Sequence, residues 1–188
     1  MDNFPLRKRA FDLTLSLLAL PVAIPVCLLA LIAIRVDSRG APLFVQKRVG
    51  RRKKPFRLYK LRTMAQDTGD LPSHAVDTAR ITALGRLMRR TKLDELPQLL
   101  NVLIGDMSFV GPRPCLPTQA ELIAERDRRG LYALRPGITG PAQVAGVDMS
   151  DPALLAKTEA AYYPHATFGT DLTLIIRTFT GAGRGDAA

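Results

Sequence analysis

Residues 13–34 carry no charged side chain and are almost wholly aliphatic, directly after Arg7, Lys8 and Arg9. About 20 such residues suffice to cross a bilayer. Pro21 and Pro25 stand in the middle of the run, where each removes a helix hydrogen bond and crowds the preceding turn. Basic residues flank the run on both sides, with Arg35, Arg39, Lys47 and Arg48 following it, and cytoplasmic flanks attract Lys and Arg. The pattern favours a re-entrant helix, which enters the membrane, breaks near Pro25 and returns to the same face, over a helix that spans it. Backbone groups freed at the break would need partners within the protein, because lipid offers none.

The period of the apolar positions then changes. Leu43-Phe44-Val45-Gln46 reads as a strand, Gly50 as the opening of a turn, and Pro55-Phe56-Arg57-Leu58-Tyr59-Lys60 as the return, giving a β-hairpin over 41–64. Residues 65–80 are polar, with Gly69 and Pro72, and read as a loop. Helical spacing resumes over 82–90, with Leu84, Leu87 and Met88 on one face. It continues through Leu96, Leu99, Leu100 and Leu103 to a stop at Gly105. Asp94 is the expected N-cap of that second helix, with Pro97 in its first turn. Thr118-x-x-Glu121 predicts a capping box for a helix ended by Gly130, and 152–163 and 170–179 complete the helices. The expected fold is α+β: a membrane helix over 1–36, then one catalytic unit over 37–188 made of a hairpin and amphipathic helices lying on the membrane surface.

The charge balance narrows the partners. With 27 Lys and Arg against 17 Asp and Glu, the net charge is +10, which favours anionic partners. Nine of the cations lie between Lys47 and Arg62 without an acidic residue. Just after a membrane segment, such a cluster attracts anionic lipid headgroups at about 1 kcal/mol per residue. Only Phe56 and Tyr59 could stack on bases there, so nucleic acid is not the expected partner. Cys27 and Cys115 belong to no metal or disulfide pattern, and His74 and His165 are too few for a zinc site.

Chemistry must therefore come from elsewhere, and the Asp94–Glu95 pair is the candidate. It sits at an expected helix start behind Arg89, Arg90 and Lys92, where the helix dipole and free amides would keep Asp94 ionised, as a carboxylate nucleophile requires. Successive residues point in different directions, so one carboxylate could attack while the other holds a metal. Downstream, Arg113 and Arg135 each stand on a Gly/Pro segment, and arginine matches phosphate oxygens in a bidentate fork. With Lys60 and Arg62 from the hairpin, these arginines could form an anion site around the carboxylates.

Six segments stand in the order seen in the monotopic phosphoglycosyl transferases among bacterial sugar transferases. They are Arg9-Ala10-Phe11-Asp12, Phe44-x-Gln46-x-Arg48-x-Gly50, Tyr59-Lys60-Leu61-Arg62-Thr63-Met64, Leu93-Asp94-Glu95-Leu96-Pro97-Gln98, Gly111-Pro112-Arg113-Pro114 and Arg135-Pro136-Gly137-Ile138-Thr139-Gly140. The chain resembles the minimal, catalytic-core form of that family over residues 7–186.

The resemblance implies a two-step exchange in which Asp94 attacks the β-phosphate of a UDP-sugar and expels UMP. A polyprenyl phosphate, such as undecaprenyl phosphate, then takes the sugar phosphate. Glu95 would hold Mg²⁺, and Lys60, Arg62, Arg89, Arg113 and Arg135 are the candidate phosphate contacts. The implied place is the cytoplasmic face of the bacterial inner membrane, ahead of downstream glycosyltransferases. Three positions depart from the family pattern: Ile24 before Pro25 where Ser is frequent, Pro141 where Trp or Leu is frequent, and Val147 where Arg is frequent. The sugar itself is left open. The alternative reading is a non-catalytic basic membrane module binding anionic lipid or nucleic acid.

Overall fold

A computed structural model describes residues 4–65 and 80–181. The loop expected over 65–80 falls almost wholly outside the described residues; its ends meet where the Ala65 amide donates to the Arg80 carbonyl at 3.0 Å.

The architecture is α+β. Helix α1 (Phe4–Asp37) is followed by the hairpin β1 (Leu43–Val49) and β2 (Pro55–Leu61). Next come α2 (Ala83–Thr91), α3 (Gln98–Ile104), the short strand β3 (Ser108–Val110) and α4 (Ala120–Arg128). Strand β4 (Gly137–Thr139), α5 (Pro141–Val144), α6 (Pro152–Tyr162) and α7 (Phe168–Phe179) complete the order.

α1 shows what the apolar run becomes. Pro21 and Pro25 both lie inside one continuous helix of 34 residues. The interruption expected at Pro25 is therefore not a gap in the helix, since turns on either side can carry a proline at the cost of local hydrogen bonds. One stripe of the helix faces the protein. Asp12, Ser16, Ala23 and Ile34 are buried along it, with Phe11, Leu15 and Ala19 against the main core and Ala30 and Leu31 against a smaller one. The remaining surface leaves Leu17, Leu18, Val22, Ile24, Leu28, Leu29 and Ile32 exposed. An uncovered apolar surface of this extent marks an interaction with something apolar.

Both ends of α1 are tied to the body. At the start, Lys8 pairs with Asp171 of α7 at 2.5 Å. Arg9 donates to the carbonyls of Val102 and Leu103 at 2.5 and 2.8 Å, a cation capping the C-terminal end of α3. Asp12 accepts from the Ser108 hydroxyl and the Phe109 amide. At the other end, Arg62 donates to the carbonyls of Ser38 and Arg39 and to the Ser38 hydroxyl, each at 2.8 Å.

The hairpin lies within the expected 41–64, and its first strand runs three residues past the expected Gln46, because Lys47, Arg48 and Val49 continue the ladder opposite Arg57, Phe56 and Pro55. β3 and β4 are the new feature. They pair in parallel, Ser108 opposite Gly137 and Val110 opposite Thr139. Each is only three residues long, too short to show a period, so the sequence reads them as rigid Gly/Pro loops. Their approach depends on missing side chains: a Cβ on Gly111 would lie 2.3 Å from the Arg135 carbonyl, and one on Gly137 would lie 2.1 Å from the Gly111 amide.

Capping differs from expectation in three places. α3 begins at Gln98 with Pro97 as its cap residue, so Asp94 lies ahead of the helix in a 3-10 turn over Leu93–Glu95. The Thr118–Glu121 box does not form; α4 starts after Gln119 without a side-chain cap. A capping box does form at α7, between Thr167 and Thr170. The pattern Thr-x-x-Thr lacks the acidic partner by which such a box is ordinarily recognised.

Candidate active site

The carboxylate pair is positioned by a break between two helices. Thr82 caps α2 by accepting the Gly85 amide, and Gly85 packs so close to the hairpin exit that a Cβ would sit 2.0 Å from the Thr63 carbonyl. α2 ends at Lys92, which adopts a left-handed conformation with φ of 59°. That turn swings the chain into the Leu93–Glu95 turn and buries Asp94 and Glu95, which keep only 6% and 7% of their surface. A left-handed residue is a common way to end a helix, and here its amide closes α2 on the Met88 and Arg89 carbonyls.

Cations then converge from three elements. Lys60 of β2 contacts Glu95 Oε1 at 2.9 Å, and Arg113, after β3, reaches the same oxygen at 3.5 Å. Arg89 of α2 donates through Nε to the Thr63 hydroxyl at 2.9 Å and lies in the field of Asp94, Glu95 and Arg113. Asn101 of α3 sets Lys60 in place by bridging the strand around it: its amide donates to the Arg57 carbonyl at 2.7 Å, and its oxygen accepts the Tyr59 amide at 3.2 Å.

The two acids have opposite electrostatics. Burial alone would raise the pKa of Glu95, but Lys60, Arg113 and Lys92 outweigh it and hold the carboxyl at about 2. For Asp94, burial dominates; Lys60, Arg89 and Lys92 oppose it, yet with Glu95 nearby the carboxyl is pushed above the ordinary aspartate range. The expected helix-end stabilisation of an ionised Asp94 does not apply, because α3 begins at Gln98; neighbouring cations take over the role without fully offsetting desolvation. Among the described residues no side chain or amide donates a hydrogen bond to Asp94, whereas Glu95 accepts from Lys60. Paired acids with pKa values pushed apart are suited to different roles in one reaction.

The expected cations divide. Lys60, Arg89 and Arg113 gather at the carboxylates. Arg62 does not: its donors bind the end of α1. Arg135 donates to the Gly105 carbonyl at 2.9 Å and lies beside Arg51, whose pKa burial and this neighbour lower. Asn101, Thr63 and Lys92 complete the site: Asn101 and Thr63 act through side-chain hydrogen bonds to residues distant in sequence, and Lys92 through its left-handed backbone and its charge, none of which leaves a local sequence mark. Of the positions departing from the family pattern, Pro141 opens α5 and Val147 packs beside a small apolar core with Tyr132 and Met149.

The acidic pair could contribute ligands to a hard cation. Mg²⁺ takes oxygen ligands, and one or two carboxylates with water and substrate phosphate complete its shell. Asp94 and Glu95 are the carboxylates at hand for such a shell, and no group of three or more His, Cys or acidic residues that could hold a metal ion occurs among the described residues.

Comparison with known proteins bears on the family. The family model for bacterial sugar transferases matches residues 4–184. An undecaprenyl-phosphate glucose phosphotransferase of Komagataeibacter xylinus is 46% identical over 150 residues, 75% of this chain and 28% of the relative. A UDP-glucose:undecaprenyl-phosphate glucose-1-phosphate transferase of Caulobacter vibrioides is 43% identical over 146 residues, 76% of this chain and 55% of the relative. The uncharacterized sugar transferase EpsL of Bacillus subtilis is 37% identical over 171 residues, 91% of this chain and 84% of the relative. With its acidic turn set among cations and the family model matched from the first helix to the last, the chain belongs to the bacterial sugar transferases.

Proposed function

We propose that this protein transfers a sugar 1-phosphate from a UDP-sugar to a polyprenyl phosphate through a covalent intermediate on Asp94. The observation that carries the reading is the contrast within the acidic pair. Asp94 is buried and accepts no hydrogen bond from the described residues, while Glu95 is held ionised by cations. A desolvated carboxylate with a raised pKa is more basic and more nucleophilic once ionised. The names of the relatives, which act on undecaprenyl phosphate, supply the substrate classes.

In the first step an Asp94 carboxylate oxygen attacks the β-phosphorus. The new P–O bond forms as the bond from that phosphorus to the bridging oxygen breaks, and UMP leaves with the electron pair. In the second step an oxygen of the lipid phosphate attacks the same phosphorus, which breaks the Asp94–phosphorus bond and restores the carboxylate. Lys60, Arg89 and Arg113 orient the diphosphate and offset its charge, since phosphoryl transfer depends chiefly on positioning and electrostatic stabilisation. Glu95 is the residue to hold Mg²⁺, which when bound neutralises phosphate charge and eases departure of UMP.

The burst experiment tests the covalent route. With Mg²⁺ and a turned-over UDP-sugar but no lipid, the enzyme should release UMP up to one equivalent and gain one sugar phosphate at Asp94. Lipid phosphate should then discharge the adduct. Absence of both burst and adduct would sink the assignment.

The same proposal places α1 as a re-entrant anchor at the cytoplasmic face of the inner membrane. Support comes from the attachment of both helix ends to one body, through Lys8–Asp171 and through Arg62 to Ser38 and Arg39. A spanning helix would have to carry one end away. Exposed Leu100 and Ile104 of α3 and Phe168, Leu172, Ile176 and Phe179 of α7 extend the apolar surface beside it, where Phe11 meets Phe168. Single cysteines placed at Ala10 and Asp37 should both resist an impermeant periplasmic reagent in intact cells; labelling of one alone would mean that α1 spans.

A further inference from the structure

Arg126 of α4 and Glu159 of α6 form a second buried charge cluster, with side chains only 2% and 1% exposed. Arg126 Nε donates to Glu159 Oε2 at 2.8 Å and Nη2 donates to Oε1 at 2.6 Å. The third donor, Nη1, goes to the Arg113 carbonyl at 2.8 Å, and Glu159 accepts the Arg113 amide. One ion pair thus takes both backbone polar groups of the residue whose guanidinium faces Glu95.

The rest of that loop is held as tightly. The Pro112 carbonyl accepts the Gly137 amide at 2.9 Å, the Pro114 carbonyl accepts Arg48 Nη1 at 3.1 Å, and the Cys115 carbonyl accepts the Val49 amide at 2.9 Å. Prolines on both sides of Arg113 restrict its backbone further. A buried ion pair stabilises a fold little more than apolar side chains of similar volume would. Helix packing alone therefore gives α4 and α6 no reason to hold charges, whereas gripping an amide and a carbonyl at once requires an acceptor and a donor.

We infer that Arg126 and Glu159 are positioning residues for the reaction, a clasp that fixes the backbone of Arg113 so that its guanidinium meets the donor phosphates at the Asp94–Glu95 pair. The inference rests on the proposed transfer reaction. Misplacing a contact by about 1 Å can cost a hundredfold in rate, so loosening the clasp should reproduce much of the loss caused by removing Arg113.

The test compares Arg126→Met/Glu159→Leu, Arg113→Ala and the triple variant with wild type. The apolar pair should leave Tm close to wild type and lower UMP release about 10- to 100-fold. The triple variant should be no slower than Arg113→Ala. Wild-type rates in the apolar-pair variant, or losses that multiply in the triple variant, would overturn the inference. Should the apolar pair fail to fold, Arg126→Lys, which keeps the charge but loses the fork, carries the same comparison with Arg113→Ala. Amide exchange separates this from the activity itself. The Arg113 amide should exchange at least tenfold faster in the clasp variant while hairpin amides hold their wild-type rates, and unchanged protection would overturn the clasp. If wild type releases UMP from no UDP-sugar, the proposed reaction falls and amide exchange alone decides the clasp.

Discussion

Asp94 and Glu159 are both buried carboxylates, exposed to 6% and 1%, and the protein treats them oppositely. Glu159 is saturated: two donors from Arg126 and the Arg113 amide occupy its oxygens. Asp94 has cations in its field but no hydrogen bond from any described residue. Burying a charge without hydrogen bonds is costly, so a site that tolerates it holds back interactions that a ligand can make. The contrast separates charge that organises the chain from charge available for reaction.

Substitution at Asp94 should produce the largest effect. Asp94→Asn keeps the shape and removes the nucleophile, so UMP release should fall at least about a thousandfold, a barrier increase of roughly 4 kcal/mol. The fold should not suffer. The carboxyl's pKa is raised because burial disfavours its charge, and a neutral amide, which escapes that cost, should leave Tm equal or higher. Residual turnover above a few per cent in a folded variant would refute the role.

Glu159→Ala should show the reverse pattern. It strands the Arg126 guanidinium in the interior, and breaking one partner of a buried pair costs about 3–5 kcal/mol. Thermal unfolding should therefore record a clear drop in Tm, where Asp94→Asn records none. Equal Tm values for the two variants would erase the distinction drawn between the sites.

The mildest probe is pH. Asp94 must be ionised to attack, and its pKa lies above the ordinary 3.8 because of burial. Activity should fall as pH drops through that raised value, while Glu95, held at about 2, remains ionised. The stability sign is opposite: a raised native pKa means the contribution of Asp94 is complete below 3.8 and lost as pH rises through the raised value. Asp94→Asn should remove this component of the pH dependence of Tm. An acid limb in kcat/KM at or below the ordinary aspartate value would contradict the electrostatics described for the pair.

Much of the site is legible along the chain because it is written in local chemistry. Asp94 and Glu95 are adjacent, Lys60 and Arg113 lie in short motifs, and Gly105 at φ of 96° ends α3 where a helix needs a left-handed residue. Arg62 and Arg135 show the limit of that reading. Both are arginines in motifs like those of Lys60 and Arg113, yet one holds the end of α1 and the other binds the Gly105 carbonyl. Sequence reveals the donor, but the fold selects its acceptor.

The apolar helix, the hairpin, the order of the helices and the acid–base composition of the site follow from short-range periodicity and residue type along the chain. The pairing of β3 with β4, the raised pKa of Asp94 beside an ionised Glu95, and the Arg126–Glu159 grip on Arg113 arise from contacts between distant segments. Arg126 and Arg113 are 13 residues apart, and Arg126 and Glu159 are 33 apart. Desolvation and hydrogen bonding are set by what surrounds a group in space, and no periodicity along the chain encodes neighbours at such separations.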